Sequence, residues 1–332
     1  MGMYLPALRH PVHHFAHRSI NFDSRVALMA IINRTPDSFY DGGATFGLRS
    51  AVDAALSAVG AGADWIDIGG VPFSPGPALD WHEEAERIVP VIEAVRQQSD
   101  VVISADTFLP EVAAAAIGAG ADVINDTTGL SNPRLGHVVA EAGVHLVITH
   151  SLAAPRTSYP RPHYDDVVQE VTGYLRRKID YALSLGIGED KIIIDPGHDL
   201  NKNTRHTLAL TAGFEAIAAL GYPSLAAVSN KDFIGETLDL PKTQRTAGSM
   251  AAAAMCIMNG ARIIRMHNIP ESLSTVRMLE AAMGWREPAY LAHNMGEVNA
   301  PAHPGNHAPA HALAAGGSAL INAAPYTANG AA

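Results

Sequence analysis

The feature that most constrains this chain is an alternation of short β-branched runs with longer Ala-rich or amphipathic stretches, repeated eight times between residues 25 and 283. The apolar runs fall at residues 26–32, 65–68, 101–104, 123–124, 145–148, 191–194, 224–228 and 262–266. Helix-length stretches follow them at 51–61, 82–97, 109–119, 134–141, 165–185, 204–220, 244–259 and 271–283. Strand alternating with helix requires a parallel sheet covered by helices. Eight such pairs in about 260 residues predict an α/β protein of the TIM type, a (β/α)8 barrel. The joints agree. Gly-Ala-Asp or Gly-Ala-Arg recurs at residues 62–64, 120–122 and 260–262, with Gly143 and Gly221 in the corresponding places. A glycine just past a helix end takes the left-handed conformation without a Cβ penalty. The rival, an open doubly wound sheet, would carry a G-x-G-x-x-G after its first strand, and none is present.

The flanks read differently. Residues 1–24 are expected as a short N-terminal extension and 289–332 as a flexible tail rich in Ala, Gly, Pro and His. From Val298 to Ala332 there is no Asp, Glu, Lys or Arg, and large apolar residues are too few to offset the entropy of ordering. A net charge of −10 argues against nucleic acid as a partner. The one cysteine, Cys256, excludes a disulfide framework and a cysteine zinc site, and makes a reducing cytoplasm the expected setting. No uninterrupted apolar run is long enough to span a membrane. Cys256 falls mid-helix among Ala and Met, which predicts a packed, unreactive thiol.

In such barrels function collects where strands end, at the C-terminal face. The eight runs end in Asn33; Asp67 with Gly69-Gly70; Asp106; Asn125-Asp126; His150; Asp195; Ser229-Asn230-Lys231; and Arg265 with His267. Singly, each could be a cap or turn former. Together they predict a ligand site whose two ends differ in charge. Asp106, Asn125 and Asp195 offer acceptors and one amide, which suit a flat heterocycle such as a 2-amino-4-oxo-pyrimidine. Lys231, Arg265 and His267 come from the last two strands, where this fold often holds phosphate, and suit a diphosphate. The loops at 34–49 and 71–80 exceed the usual length of a strand-to-helix connection, so they are expected as lids, with Asp37, Asp41 and Ser74 among their polar residues.

Seven motifs in register resemble the dihydropteroate synthase family from residue 25 to about 283. The longest is Asn33-Arg34-Thr35-Pro36-Asp37-Ser38-Phe39-Tyr40-Asp41-Gly42-Gly43. Asp67-Ile68-Gly69-Gly70, Ser104-Ala105-Asp106-Thr107, Ile124-Asn125-Asp126, Asp195-Pro196-Gly197, Ser229-Asn230-Lys231 and Arg265-Met266-His267 follow in order. The resemblance implies that Asp106, Asn125, Asp195 and Lys231 hold a pterin, with Asp106, Asp195 and Lys231 carrying the catalytic roles. Asn33, Arg265 and His267 would bind diphosphate, Mg²⁺ would lie near Asn33, and Ser229 would meet the second substrate. The implied reaction displaces diphosphate from a pterin CH₂ by an amine such as p-aminobenzoate, in a homodimer.

Three departures set this chain apart. The family's second loop, G-E-S-T-R-P-G, is here Gly70-Val71-Pro72-Phe73-Ser74-Pro75-Gly76; its S-R-K is Ser229-Asn230-Lys231; its G-F-G-K is replaced around His198-Asp199-Leu200-Asn201-Lys202. Two cations and an aromatic wall are thereby lost, as in a divergent second-copy branch of the family. Arg34, Lys202 or Arg205 could compensate. The functional expectation is a synthase-like transferase with an altered amine, or else a pterin binder without turnover. A methyltetrahydrofolate-dependent methyltransferase is the third option, disfavoured by the Arg265–His267 pair. His150, His198 and Asp199 also lie close enough in the pattern to raise a metal reading, but no ligand spacing supports it.

Overall fold

The inward and outward faces of eight strands explain where the site can be. In the computed structural model, which describes residues 4–34, 47–159, 161–291 and 293, the strands are β3 (Ala27–Asn33), β4 (Trp65–Gly69), β5 (Val102–Asp106), β6 (Val123–Asp126), β7 (His145–Thr149), β8 (Ile192–Asp195), β9 (Leu225–Ala226) and β10 (Ile263–Met266). They run parallel in the order β8-β7-β6-β5-β4-β3-β10-β9, and a bridge between Ile194 and Ser224 joins the last edge to the first. The barrel expected from the alternation is present. Successive side chains point to opposite faces. Leu28, Ile66, Ile103, Ile124, Leu146, Ile192 and Ile264 pack outward in the large core shared with the helices. Met29, Trp65, Val102, Val123, Val147, Ile193, Leu225 and Ile263 fill the lower interior.

The plug of that interior is local. Residues 12–21, read from sequence as part of an extension, form an antiparallel hairpin of β1 (Val12–His14) and β2 (Ser19–Asn21). Phe15, Ile20 and Phe22 pack with the lower barrel residues, and the Phe15 ring meets the Trp65 indole edge-on at 5.6 Å between centroids. His13 and His145 are buried here too, 5.2 Å apart between ring centroids. Burial holds their pKa values down to about 4 and about 2.

The helices are α1 (Leu48–Gly60), α2 (Trp81–Arg96), α3 (Pro110–Gly118), α4 (Pro133–Ala142), α5 (Val167–Ser184), α6 (Thr204–Ala212), α7 (Phe214–Ala218), α8 (Asp232–Leu238), α9 (Thr246–Met258) and α10 (Ile269–Ala282). The single helix expected over 204–220 is broken at Gly213, where Val168 of α5 comes close enough to crowd any added Cβ. Helix α8 was not foreseen. Gly143 ends α4 at φ 67°, as the glycine joints require. The aspartates of the Gly-Ala-Asp joints have a second task. Asp64 accepts from Leu28 N at 3.0 Å, and Asp122 accepts from Ile103 N at 2.9 Å and Arg96 Nη2 at 2.6 Å. Each carboxylate thus satisfies a backbone donor at the start of the preceding strand, which the ladder leaves unpaired. Cys256 is fully buried on α9, and burial pushes its thiol pKa up.

The barrel and its N-terminal hairpin belong to one compact unit that ends at Arg286. Of the expected tail only residues 289–291 and 293 are described. Among the described residues no helix is long and apolar enough to cross a membrane.

Candidate functional site

Above the dry lower layer the inward positions turn polar, and a cavity of about 310 Å³ opens there. It brings together Asn33, Asp106, Asn125, Asp195, Ser229, Lys231, Arg265 and His267, from the ends of β3, β5, β6, β8 and β10 and the segment after β9. Of the other residues singled out from sequence, Ser74 lies outside this lining, and Asp37 and Asp41 lie outside the described residues.

The hub of the site is a residue that sequence reasoning placed in the ring of strand ends but gave no role of its own. Asp67, on β4 and fully buried, accepts from Arg265 Nε at 2.6 Å, from Asn125 Nδ2 at 3.3 Å and from Ser104 Oγ. Ser104 in turn accepts from the Trp65 indole at 2.9 Å. Arg265 Nη2 also donates to Asp106 Oδ2 at 3.3 Å. The available signal was an aspartate inside the run Trp65-Ile66-Asp67-Ile68, on the inward-facing parity of Trp65. A buried carboxylate in such a place needs a cation. Asp106 is pushed up to about 8, by burial first and then by repulsion from Asp67, against the opposing pull of Arg265.

Two acceptors on the cavity wall have nothing to accept from. Asn125 Oδ1 and Thr149 Oγ1 are buried without a hydrogen-bond partner, and both residues line the cavity. Buried polar atoms are normally paired, so orphans at a cavity wall reserve capacity for a ligand. Asp195 accepts from Gly197 N at 2.7 Å; its pKa is raised by burial, with Lys231 pulling the other way. Lys231, whose pKa burial lowers against the attraction of Asp199 and Asp195, donates to the His198 carbonyl.

Two of the three candidate compensating cations, Arg34 and Lys202, are committed elsewhere, and Arg205 is exposed on α6. Arg34 Nη1 donates to the carbonyls of Glu86 at 3.0 Å and Arg87 at 2.7 Å. Pro90 inside α2 has no N–H to offer Glu86, so Arg34 fills a gap in that helix. Lys202 is buried, with its ammonium 2.9 Å from both His150 Nδ1 and the Gly197 carbonyl and 3.0 Å from the Leu200 carbonyl; burial lowers its pKa to about 7. His198 is fully buried with a pKa held well down by burial, and Lys202 engages His150. Among the described residues no three His, Cys, Asp or Glu side chains converge as a metal site. Asn230, where the family pattern has arginine, turns its amide inward to Asn268 Oδ1 at 3.3 Å and Ser249 Oγ at 3.2 Å. Ser229 Oγ lies 2.9 Å from His267 Nδ1 and accepts from His267 N at 3.1 Å, so it orients the histidine at the anion end.

A barrel mouth with carboxylates and orphaned acceptors at one end and Arg265 and His267 at the other defines a protein that binds a flat nitrogen heterocycle bearing an anion. The chain belongs to the pterin binding enzyme family, whose profile matches residues 29–267. It is 42% identical over 274 residues to inactive dihydropteroate synthase 2 of Mycobacterium leprae, covering 80% of this chain and 93% of that protein. It is 38% identical over 261 residues to dihydropteroate synthase of Escherichia coli, covering 78% and 93%. The structure of Xanthomonas albilineans dihydropteroate synthase in complex with 7,8-dihydropteroate superposes with a TM-score of 0.74 at 37% identity, covering 82% of this chain and 99% of that one.

Proposed function

We propose that this protein binds a hydroxymethyl-dihydropterin diphosphate and transfers its CH₂ to an amine, in the manner of a dihydropteroate synthase. The observation that carries the reading is the pair of orphaned acceptors, Asn125 Oδ1 and Thr149 Oγ1, beside Asp106 and Asp195 in one cavity. A 2-amino-4-oxo ring brings adjacent N–H donors to satisfy them. Asp106, Asp195 and Lys231 orient the ring, whose π-system spreads the positive charge that grows on the CH₂ as its bond to oxygen breaks. Arg265 and His267, held by Asp67 and Ser229, take up the charge growing on the departing diphosphate. The amine lone pair forms the new C–N bond, and its surplus proton passes to solvent.

Mg²⁺ fits this site as a companion of the substrate. The cavity offers the Asn33 amide oxygen, a hard ligand, and Mg²⁺ characteristically binds few protein groups together with substrate phosphates. There it would supply neutralisation of leaving-group charge. In the same reading the protein works as a homodimer in the cytoplasm, which sedimentation and cell fractionation check.

A second reading, pterin binding without turnover, is favoured by Asn230, whose neutral amide stands where the family pattern has a cation. The name of the mycobacterial relative points the same way. One pair of measurements separates the two. Calorimetry with the pterin diphosphate and Mg²⁺ tests binding, and diphosphate release on adding an amine tests transfer. Binding with no release under any amine selects the second reading, and no binding overturns both.

A further inference from the structure

We infer that the amine end of the cavity takes an arylamine lacking a carboxylate, packed against Phe73, and that Arg156 and Asn201 are the positioning residues that hold this end in shape. The inference rests on the transferase reading above. The strand ends supply the pterin and diphosphate groups, so a third molecule entering from solvent meets the remaining wall, formed by Val71, Pro72, Phe73 and Leu200. All four are apolar. The described lining carries no surplus of positive charge, since Asp106, Asp195, Asp199 and Asp232 stand against Lys231, Lys242 and Arg265, and Asp232 is ion-paired to Arg245 at 2.9 Å. An incoming carboxylate would therefore be desolvated against hydrocarbon without a surplus cation to meet it.

The wall is fastened rather than loose. Arg156, between β7 and α5, reaches the backbone of the loop after β4 at four points. Its N donates to Phe73 O at 3.1 Å and its carbonyl accepts from Gly76 N at 3.2 Å. Its guanidinium donates to Ser74 O at 2.7 Å and Pro77 O at 3.2 Å. Arg156 takes φ 66° to do so, and a Cβ on Gly76 would collide with its guanidinium. Asn201, at φ 49°, continues the clasp, its Oδ1 accepting from Ser151 Oγ at 2.7 Å, Leu152 N at 3.0 Å and Ala153 N at 2.9 Å. The two segments that depart most from the family pattern, 71–76 and 198–202, are thus tied through one intermediate loop.

The test uses the full chain saturated with hydroxymethylpterin, inorganic diphosphate and Mg²⁺, a complex that cannot turn over. Calorimetry then compares p-toluidine with p-aminobenzoate. The uncharged amine is expected to bind about tenfold or more tighter, and Phe73→Arg is expected to reverse the order. Arg156→Lys keeps the charge but not the fork, and is expected to weaken p-toluidine about tenfold while leaving pterin affinity unchanged. Equal or tighter binding of p-aminobenzoate, no binding of either amine, or parallel loss of pterin affinity in Arg156→Lys overturns the inference. Tight p-toluidine binding with no diphosphate release from the true pterin diphosphate would instead overturn the transferase reading and leave the shape of this end as described.

Discussion

Pterin affinity should depend on pH through Asp106, and the dependence can be worked from the site. The Asp106 side chain keeps 25% of its surface exposed, yet burial and the neighbouring Asp67 push it up to about 8. Below that value it is a carboxylic acid. Accepting from two adjacent ring N–H donors takes both oxygens of the carboxylate, so binding is expected to release a proton when the pH lies below about 8. Affinity for an uncharged pterin should then rise tenfold per pH unit from 6 to 8 and level off above. The whole span is about 100-fold, or ~2.7 kcal/mol. Calorimetry at several pH values, in two buffers of different ionisation enthalpy, reads both the affinity and the released proton. Asp67→Asn removes the repelling carboxylate, so the rise should finish at lower pH. Affinity that stays level from pH 6 to 8, with no proton released, would refute the assignment of Asp106 as an ionised acceptor.

Other outcomes follow from contacts outside the pterin end. Arg34→Ala should lower stability by about 2 kcal/mol, since it strips the carbonyl that Pro90 leaves open. Diphosphate affinity should not change, and a denaturant melt with calorimetry reads both. Asp122→Ala removes the partner of the largely buried Arg96 and should cost about 3–5 kcal/mol of unfolding free energy, read from denaturant melts. The chain should also lose stability in acid. His13 and His145 are neutral when folded and charge at 6.5 when unfolded, so the unfolded state binds more protons as the pH falls below 6.5. For His13 this amounts to about 3 kcal/mol by pH 4, and His13→Phe should flatten that slope in acid melts.

The barrel was legible because its strands are apolar on both faces and its joints carry glycines, signals that are local. The ring of polar strand ends was legible for the same reason: it follows from where each apolar run stops. Asp67 was read into the ring without a role, because it lies inside its run and only closing the cylinder shows that Arg265 comes within 2.6 Å. Arg34 invited a role at the anion end by its place beside Asn33. Its actual use depends on Pro90, more than fifty positions away in the chain, and no spacing rule connects the two. The clasp of Arg156 was invisible for a related reason. A loop arginine looks like any surface charge until its backbone is seen at φ 66° against Gly76.

The N-terminal hairpin carries a consequence for the far end of the molecule. Phe15 touches Trp65 from below, and the indole N–H begins a relay through Ser104 to Asp67, which holds both Arg265 and Asn125. Hairpin and cavity floor are one aromatic contact and two hydrogen bonds apart. Trimming the first two dozen residues as a dispensable leader would admit water beneath the indole and unseat the chemistry from underneath.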